Sequence, residues 1–108
     1  MQIENLLRNI PRELPDELIE PLVERQGIRL ERIVSRQHST APGEWYDQEW
    51  DEWVLLVEGE AILRFAEPDE TIQMHAGDFL LIPARRRHRV ERTSESCDTI
   101  WLALHLEH

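Results

Sequence analysis

The stretch Gly77-Asp78-Phe79-Leu80-Leu81-Ile82-Pro83, with His88 five residues further on, decides the fold of this chain. Its glycine and aspartate favour a turn, and the apolar residues after them favour a short strand that ends at the proline. Glu52 opens a second stretch of this kind, in which the apolar run Trp53-Val54-Leu55-Leu56-Val57 leads to Gly59. Each stretch therefore combines a strand, a glycine turn and one polar side chain that is capable of chemistry.

The remainder of the chain after Gly27 also predicts short strands. Apolar residues alternate with polar ones, and turn residues recur at intervals of about ten positions. We expect one hairpin of residues 53–57 and 61–65, a second of residues 71–75 and 79–82, and last strands over residues 88–93 and 99–105. Many short strands with frequent turns predict an all-β sandwich or barrel.

Residues 1–27 have a different pattern. Leucines at positions 14, 18 and 22 lie at helical spacing, and Pro15 followed by Asp16 suits the first turn of a helix. Pro21 is expected to divide this helix, because proline removes a main-chain hydrogen bond. The sequence therefore predicts a short N-terminal helical arm that ends at Gly27 and covers one end or face of the β-domain.

Composition excludes several classes of partner. The chain has 108 residues, enough for one domain, and 22 acidic against 12 basic residues give a formal net charge of −10. Such a field repels nucleic acids and anionic membranes, and no apolar run is long enough to span a bilayer. The single Cys97 cannot form an internal disulfide, and the N-terminus does not resemble a signal peptide, so we expect a cytoplasmic protein.

Taken together, the two stretches resemble the signature motifs of the cupin family. The first motif reads His-x-His, three or four residues, Glu, six residues, Gly; the second reads Gly, five residues, Pro-x-Gly, two residues, His. The positions that match are Glu52, Gly59, Gly77, Pro83 and His88. Both histidines of the first motif are replaced, by Tyr46 and Gln48, and Arg85 stands where the second motif has its last glycine.

The resemblance implies a small antiparallel jelly-roll β-barrel over residues 28–105, preceded by the arm of residues 1–27. Residues 106–108 resemble an expression-tag junction and are left out of the functional reasoning. Many cupins are homodimers, and the tryptophans at positions 45, 50 and 53 offer apolar surface for a dimer interface or a pocket wall. We therefore expect a homodimer.

Strand parity places the replaced positions on one face. Tyr46, Gln48 and Glu52 share parity with Val54 and Leu56, so in an extended segment all five point to the same side. Polar groups followed by apolar ones on an inward row predict a polar pocket at one end of a packed barrel.

The resemblance also implies a metal site in this pocket. Glu52 and His88 stand at ligand positions of the family, Gln48 offers a carbonyl oxygen, and Tyr46 is a ligand only as a phenolate. Such a set suits Mn, Fe, Ni or Zn. Two alternatives without a metal remain open. The same side chains can form a satisfied polar network, or they can transfer protons with His88 as base and Tyr46 as acid.

Arg86 and Trp50 are the expected ligand-binding residues beside this site. Arg86 belongs to the basic run Arg85-Arg86-Arg87-His88-Arg89, which suits a carboxylate or phosphate, and Trp50 offers a ring to wall the pocket. One hypothesis is a metal-assisted oxygenase or isomerase that acts on a small anionic metabolite. The competing hypothesis is a non-catalytic cupin that binds or senses a small molecule without a metal. His38, His75 and His105 are weaker candidates for the site; His105 faces inward or lies at an edge.

Overall fold

A computed structural model describes residues 1–107 of the chain, which form eight β-strands and no helix. The strands are β1 Leu18–Arg25, β2 Ile28–Ser35, β3 Asp51–Glu58, β4 Glu60–Phe65, β5 Glu70–His75, β6 Phe79–Ile82, β7 His88–Thr93 and β8 Thr99–Leu106. Within this range no helix that could cross a membrane is found. The expected all-β fold class is confirmed.

The strands form two antiparallel sheets that face each other. One sheet has five strands in the order β1-β2-β8-β3-β6, and the other has three in the order β5-β4-β7. Alternation explains which side chains meet between the sheets. On β8, Trp101, Ala103 and His105 are buried, whereas the residues between them are partly exposed. The core contains Leu56, Met74 and the other buried residues Val54, Ala61, Leu63, Phe65, Ile82 and Trp101.

The register of the five-stranded sheet explains why one end is polar. Arg29, His105, Glu52 and Ile82 lie side by side on β2, β8, β3 and β6. Two residues further along, Val54 on β3 pairs with Ala103 on β8, and two residues beyond these Leu56 pairs with Trp101. Since cross-strand neighbours point to the same face, polar side chains collect at one end and apolar ones fill the other.

Both expected hairpins are wrong. The strands β3 and β4 are consecutive, but β3 pairs with β6 and β8, whereas β4 pairs with β5 and β7. In the same way, β5 and β6 belong to different sheets. Gly59 and Gly77 therefore mark corners at which the chain passes from one sheet to the other, with φ angles of 92° and 95°. A glycine turn between two apolar runs looks the same in sequence whether the runs pair or separate.

The predicted N-terminal helical arm is also wrong. Residues 18–25 form β1, which pairs with β2 along its whole length, so the expected boundary at residue 27 falls inside a hairpin. The register shifts between Pro21 and Val23. Because β1 is an edge strand, a proline at such an irregularity removes no ladder hydrogen bond that the sheet needs. Pairing at the edge of the sheet outweighs the helical spacing of the leucines.

Residues before β1 are held by two arginines on the outer side of the sheet. Arg32 is 5% exposed, and Arg36 follows directly after β2. The Arg32 guanidinium donates to the carbonyl oxygens of Leu6 at 3.0 Å, Arg8 at 2.7 Å and Asn9 at 3.4 Å. Arg36 donates to the carbonyl oxygens of Arg12 at 2.7 Å and Pro11 at 3.3 Å, and it also pairs with Asp98. The segment is thus fixed without regular secondary structure.

The last residues continue the fold. Leu106 lies in β8 and pairs with Ile28 and Asp51, and the Glu107 amide donates to the Gly27 carbonyl oxygen at 2.9 Å. The third residue of the expected tag junction, His108, lies outside the described residues, and the tag assignment stays a prediction.

Candidate functional site

A cavity of about 180 Å³ opens at the polar end, between the two sheets. Its volume is similar to the roughly 150 Å³ cavity that holds a benzene molecule in a protein core. The ionisable side chains that line it are Glu17, Arg29, Glu31, Tyr46, Glu52, His88 and His105, and the apolar ones are Ile19, Ile33, Val54, Leu63, Ile82, Val90 and Trp101. Gln48 completes the lining. The cavity therefore suits a small molecule with an apolar body and a polar group.

The segment before β3 places Tyr46 and Gln48 at this cavity. It is irregular, but main-chain hydrogen bonds fix it to the loop before β7 and to the start of that strand. The Tyr46 amide donates to the His88 carbonyl oxygen at 2.7 Å, and the His88 amide donates back to the Tyr46 oxygen at 3.1 Å. The Arg85 amide donates to the Gln48 carbonyl oxygen at 2.7 Å. The structure therefore brings Tyr46, Gln48, Glu52 and His88 to one cavity, although residues 46–50 form no strand.

Glu52 and His88 form a buried pair across the cavity. Glu52 Oε1 lies 3.5 Å from His88 Nε2, and the residues are 8% and 5% exposed. The other ring nitrogen, Nδ1, lies 3.0 Å from the carbonyl oxygen of Arg86. Because a carbonyl oxygen only accepts, Nδ1 carries a hydrogen, and Nε2 is the nitrogen that faces Glu52. Nε2 can thus exchange a proton at the cavity beside a carboxylate.

Tyr46 has its ring next to that of His88, with the ring centres 5.5 Å apart. Burial raises the pKa of the Tyr46 phenol above its usual value, and the negative charges of Glu17 and Glu52 raise it further. The phenol therefore keeps its proton at neutral pH. A protonated hydroxyl is a hydrogen-bond donor and an acid, whereas the phenolate that a metal would need is disfavoured here.

A second carboxylate–imidazole pair lies on the same wall and was not foreseen as a pair. Glu31 Oε1 is 2.9 Å from His105 Nε2, and Glu31 Oε2 is 3.2 Å from Arg29 Nε. His105 is 4% exposed and is adjacent to Glu52 in the register of β3 and β8. Its parity with Trp101 and Ala103 allows either an inward or an edge position, and in the structure the His105 side chain points inward. Glu31 shares parity with Ile33, and this shared parity is the sequence signal for its inward position.

Arg86 and Trp50 do not occur among the described residues that line the cavity. Arg86 instead lies over the ring of Phe65 at 5.3 Å and donates to the Pro68 carbonyl oxygen at 3.0 Å. Trp50 is partly buried in the segment before β3. Their assignment as ligand-binding residues stays a prediction that the geometry does not favour.

His38 and His75 also lie outside the cavity lining. His38 accepts from the Arg36 amide at 2.9 Å, and its other ring nitrogen lies 3.1 Å from the Pro15 carbonyl oxygen. His75 is at the exposed end of β5, with 62% of its side chain accessible. Neither position suits a ligand of the cavity.

A family comparison agrees with this geometry. The model of the cupin domain family matches residues 34–105, which is more than half of the chain. The chain belongs to the cupin family. A candidate mannose-6-phosphate isomerase from Ralstonia eutropha is 40% identical to this cupin, and its structure superposes with a TM-score of 0.94 over 100% of both chains. No curated protein matches the cupin significantly.

More distant solved structures share the fold. A cupin superfamily protein from Desulfitobacterium hafniense is 19% identical to this cupin, with a TM-score of 0.74 over 92% of this chain and 84% of its own. A cupin-family protein with a double-stranded β-helix fold from Methanocaldococcus jannaschii is 14% identical, with a TM-score of 0.70 over 93% of this chain and 88% of its own. These two similarities confirm the jelly-roll fold.

The family's metal can be compared with the donors of this cupin. Among residues 1–107 no group of three or more His, Cys, Asp and Glu side chains is arranged to hold a metal ion. Of the two replaced motif positions, Gln48 offers a neutral oxygen whose atom is shielded from solvent and has no hydrogen-bond partner, and the nearby His105 is paired with Glu31. A neutral amide oxygen is a weak ligand for a transition metal. The donor set therefore does not fit the three-histidine, one-glutamate site of the family.

Proposed function

We propose that this cupin is a small-molecule isomerase that works by proton transfer in the barrel cavity, without a metal. The observation that carries the proposal is the buried pair of Glu52 and His88 beside the Tyr46 phenol. It puts a base, a carboxylate and an acid against one small cavity, which is the set that moving a proton between neighbouring carbon atoms needs.

The roles follow from the hydrogen-bond geometry. His88 Nε2 takes the proton from the carbon next to a substrate carbonyl, since Nδ1 is committed to the Arg86 oxygen. Glu52 stabilises the imidazolium that forms. Tyr46 donates to the carbonyl oxygen as it becomes an enediol oxygen. His88 then returns its proton to the former carbonyl carbon, and the proton of the neighbouring hydroxyl passes to the Tyr46 phenolate, which restores the phenol and converts the aldehyde into a ketone.

The 40% identical structure supports this reading. It is a candidate mannose-6-phosphate isomerase, which supports isomerisation as the type of reaction. A phosphate on the substrate has no such support, because Arg29, the one arginine among the described residues that line the cavity, is paired with Glu31. The prediction of an anionic metabolite has weaker support, because Arg86 lies away from the cavity. The non-catalytic alternative remains the contrasting hypothesis, and the cytoplasmic location stays a prediction.

Exchange of substrate protons with deuterium tests the proposal. Aldoses and ketoses that are uncharged, amino-substituted or phosphorylated are incubated with the protein in D₂O, and proton NMR follows the C2 hydrogen of the aldose, the C1 hydrogens of the ketose and the isomer formed. We expect at least one compound to exchange, with a rate that EDTA leaves unchanged and that Tyr46→Phe lowers roughly 100-fold. Binding without exchange for every compound would support the non-catalytic alternative, and loss of the rate in EDTA would support a metal at Glu52, His88 and Gln48.

We also propose a homodimer, supported by an apolar patch on the outer face of the five-stranded sheet. Trp53 and Leu55 on β3 pair with neighbours on both sides that share their outward face. The patch consists of Trp53, Leu55, Phe79, Leu81, Leu102 and Leu104. Phe79 and Leu81 are 64% and 54% exposed. Apolar residues in one contiguous group are typical of a surface between subunits.

Replacing Leu81 with glutamate is expected to separate the dimer. A carboxylate on the patch would have to be desolvated in the interface, so the dimer dissociation constant should rise roughly 100-fold or more. Sedimentation velocity over a range of concentrations measures this. Leu22→Glu is the control, since Leu22 is 41% exposed on β1 at the opposite edge of the same sheet. A monomeric wild-type protein at all concentrations would rule the homodimer out.

A further inference from the structure

The cavity has an excess of negative charge. Its fixed charges are the carboxylates of Glu17, Glu31 and Glu52 against the single guanidinium of Arg29. Arg29 is already paired with Glu31 at 3.2 Å. A bound anion would therefore meet more carboxylates than cations, and two of these carboxylates, Glu31 and Glu52, are largely buried, where charge interactions are stronger than in water.

The two imidazoles do not offset this excess for a ligand. His88 turns Nε2 toward Glu52, and its Nδ1 is bound to the Arg86 oxygen. His105 has its Nε2 on Glu31 at 2.9 Å. Both imidazoles thus direct Nε2 at a carboxylate of the cavity, which occupies the place that a phosphate or carboxylate of the ligand would take at that nitrogen.

The surface beside the cavity is also acidic. A second depression shares Glu17 and Tyr46 with the cavity and contains Asp16, His38 and Glu44. Its lining, within the part of the chain that the structure describes, includes no arginine or lysine. Its three carboxylates, Asp16, Glu17 and Glu44, add to the negative potential beside the cavity, which attracts cations and repels anions.

The arginines of the basic run, which suggested an anionic ligand, pair with groups outside the cavity. Arg85 pairs with Asp47 and Glu49, each at 3.2 Å, and Arg87 pairs with Glu67 at 2.7 Å. The Arg89 guanidinium donates to the main-chain oxygens of residues 40, 41 and 44, and its Nε lies 2.9 Å from Glu91. These guanidinium groups stabilise the segment before β3 and the nearby loops. None of them lines the cavity.

An ammonium group complements the acceptors of the cavity. It has three donors and no acceptor, whereas Glu52 and Gln48 present oxygen atoms. Gln48, which lines the cavity, has a buried Oε1 without a hydrogen-bond partner, so this part of the wall lacks a donor rather than an acceptor. The charges of Glu17 and Glu52 also raise the pKa of the Tyr46 phenol, which reflects the same negative field. The apolar wall around Trp101 accommodates an uncharged body.

We propose that the cavity binds small molecules with a protonated amino group and an otherwise uncharged, partly apolar body, in preference to phosphates and carboxylates. This rests on the proposed function in one respect, that the cavity is the substrate site. It narrows the substrate class of the isomerase to amino-substituted carbonyl compounds.

Three probes of similar size and different charge test the preference: butylammonium, 1-butanol and butanoate. An alkyl amine with a pKa near that of lysine, about 10.4, is fully protonated at pH 7. The readout is the indole N–H signal of Trp101, which lines the cavity, in titrations of ¹⁵N-labelled protein. We expect butylammonium to bind at least tenfold more tightly than butanoate, with 1-butanol between them.

Charge-removing variants with a matched control locate the effect. Glu52→Gln keeps the shape and should weaken butylammonium binding about tenfold, which corresponds to about 1.4 kcal/mol. Glu49→Gln removes the same charge from an exposed side chain outside the cavity and should leave the affinity unchanged. If Glu52→Gln does not fold, Glu17→Gln serves instead, since an amide oxygen still accepts from the Ser35 hydroxyl.

The possible outcomes separate this inference from the proposed function. Butanoate binding as tightly as butylammonium, or butylammonium binding unchanged in both cavity variants, overturns the charge preference but leaves the cavity as a small-molecule site. Absence of any Trp101 shift with all three probes overturns both the preference and the role of the cavity.

Discussion

The His88→Asn variant is expected to lose at least 100-fold in the rate of deuterium exchange into the substrate. Asparagine places an amide near the position of Nδ1 and can still donate to the Arg86 oxygen, which lies 3.0 Å from that nitrogen. It has no group at the position of Nε2, so the base that takes the proton is missing. Loss of a general base lowers rates by roughly 10² to 10⁴.

His75→Asn is the matched control for this variant. His75 is also an imidazole near a carboxylate, Asp78, but it is exposed on β5 and away from the cavity. Its exchange rate should equal that of the wild type. Circular dichroism and urea unfolding show whether the position-88 variant keeps its fold. Folded His88→Asn protein with at least a third of the wild-type rate would contradict the role of His88 as the base.

Gly59→Ala is expected to destabilise the protein by about 3 kcal/mol or more. A Cβ at this position would lie 2.7 Å from Thr99 Oγ1, 2.8 Å from Thr99 Cα and 3.0 Å from the Asp98 carbonyl oxygen. Thr99 is fully buried, and two of these three atoms belong to the main chain, so the neighbours cannot move without distorting β8. The φ angle of 92° adds conformational strain.

Gly77→Ala is the control that separates the conformational cost of a positive φ angle from the cost of steric overlap at the added Cβ. Gly77 has a φ angle of 95°, and a Cβ there meets no atom within 4 Å. It should therefore cost about 1 kcal/mol, which is the conformational part alone. Urea unfolding of both variants gives the two free energies of unfolding. Equal losses at the two positions would show that contact with Thr99 contributes nothing.

The strands and the fold class could be predicted because alternation and turns are local signals. The pairing of the strands could not, since the corner at Gly59 and a hairpin turn have the same sequence pattern. The resemblance to cupins fixed the architecture where local patterns were ambiguous. The N-terminal segment was mispredicted because its proline-interrupted leucine spacing is compatible with a helix, whereas pairing of β1 with β2 depends on residues distant from it.

The sequence predicts part of the candidate site, because the parity of an extended segment is also a local signal. Parity placed Tyr46, Gln48 and Glu52 on one row, and the structure brings them to one cavity with His88. Glu17 could not be found, because the segment that contains it was assigned to a helix. Arg86 is expected at the site because it shares the parity of His88, but it lies before β7, where the chain is not extended and residues two apart need not face the same way.

The attachment of residues 6–12 has a consequence for how this part of the chain can change over evolution. Arg32 and Arg36 contact main-chain carbonyl oxygens there, and every amino acid has the same carbonyl group. The side chains of Arg8, Pro11 and Arg12, which are exposed, can therefore change without loosening the attachment, whereas Asn9 is constrained by its φ angle of 58°. Arg32 and Arg36 cannot change in this way, because a lysine has no planar group with five N–H donors to replace a guanidinium. Homologous chains should thus vary at positions 8, 11 and 12 while retaining arginine at the two attachment points.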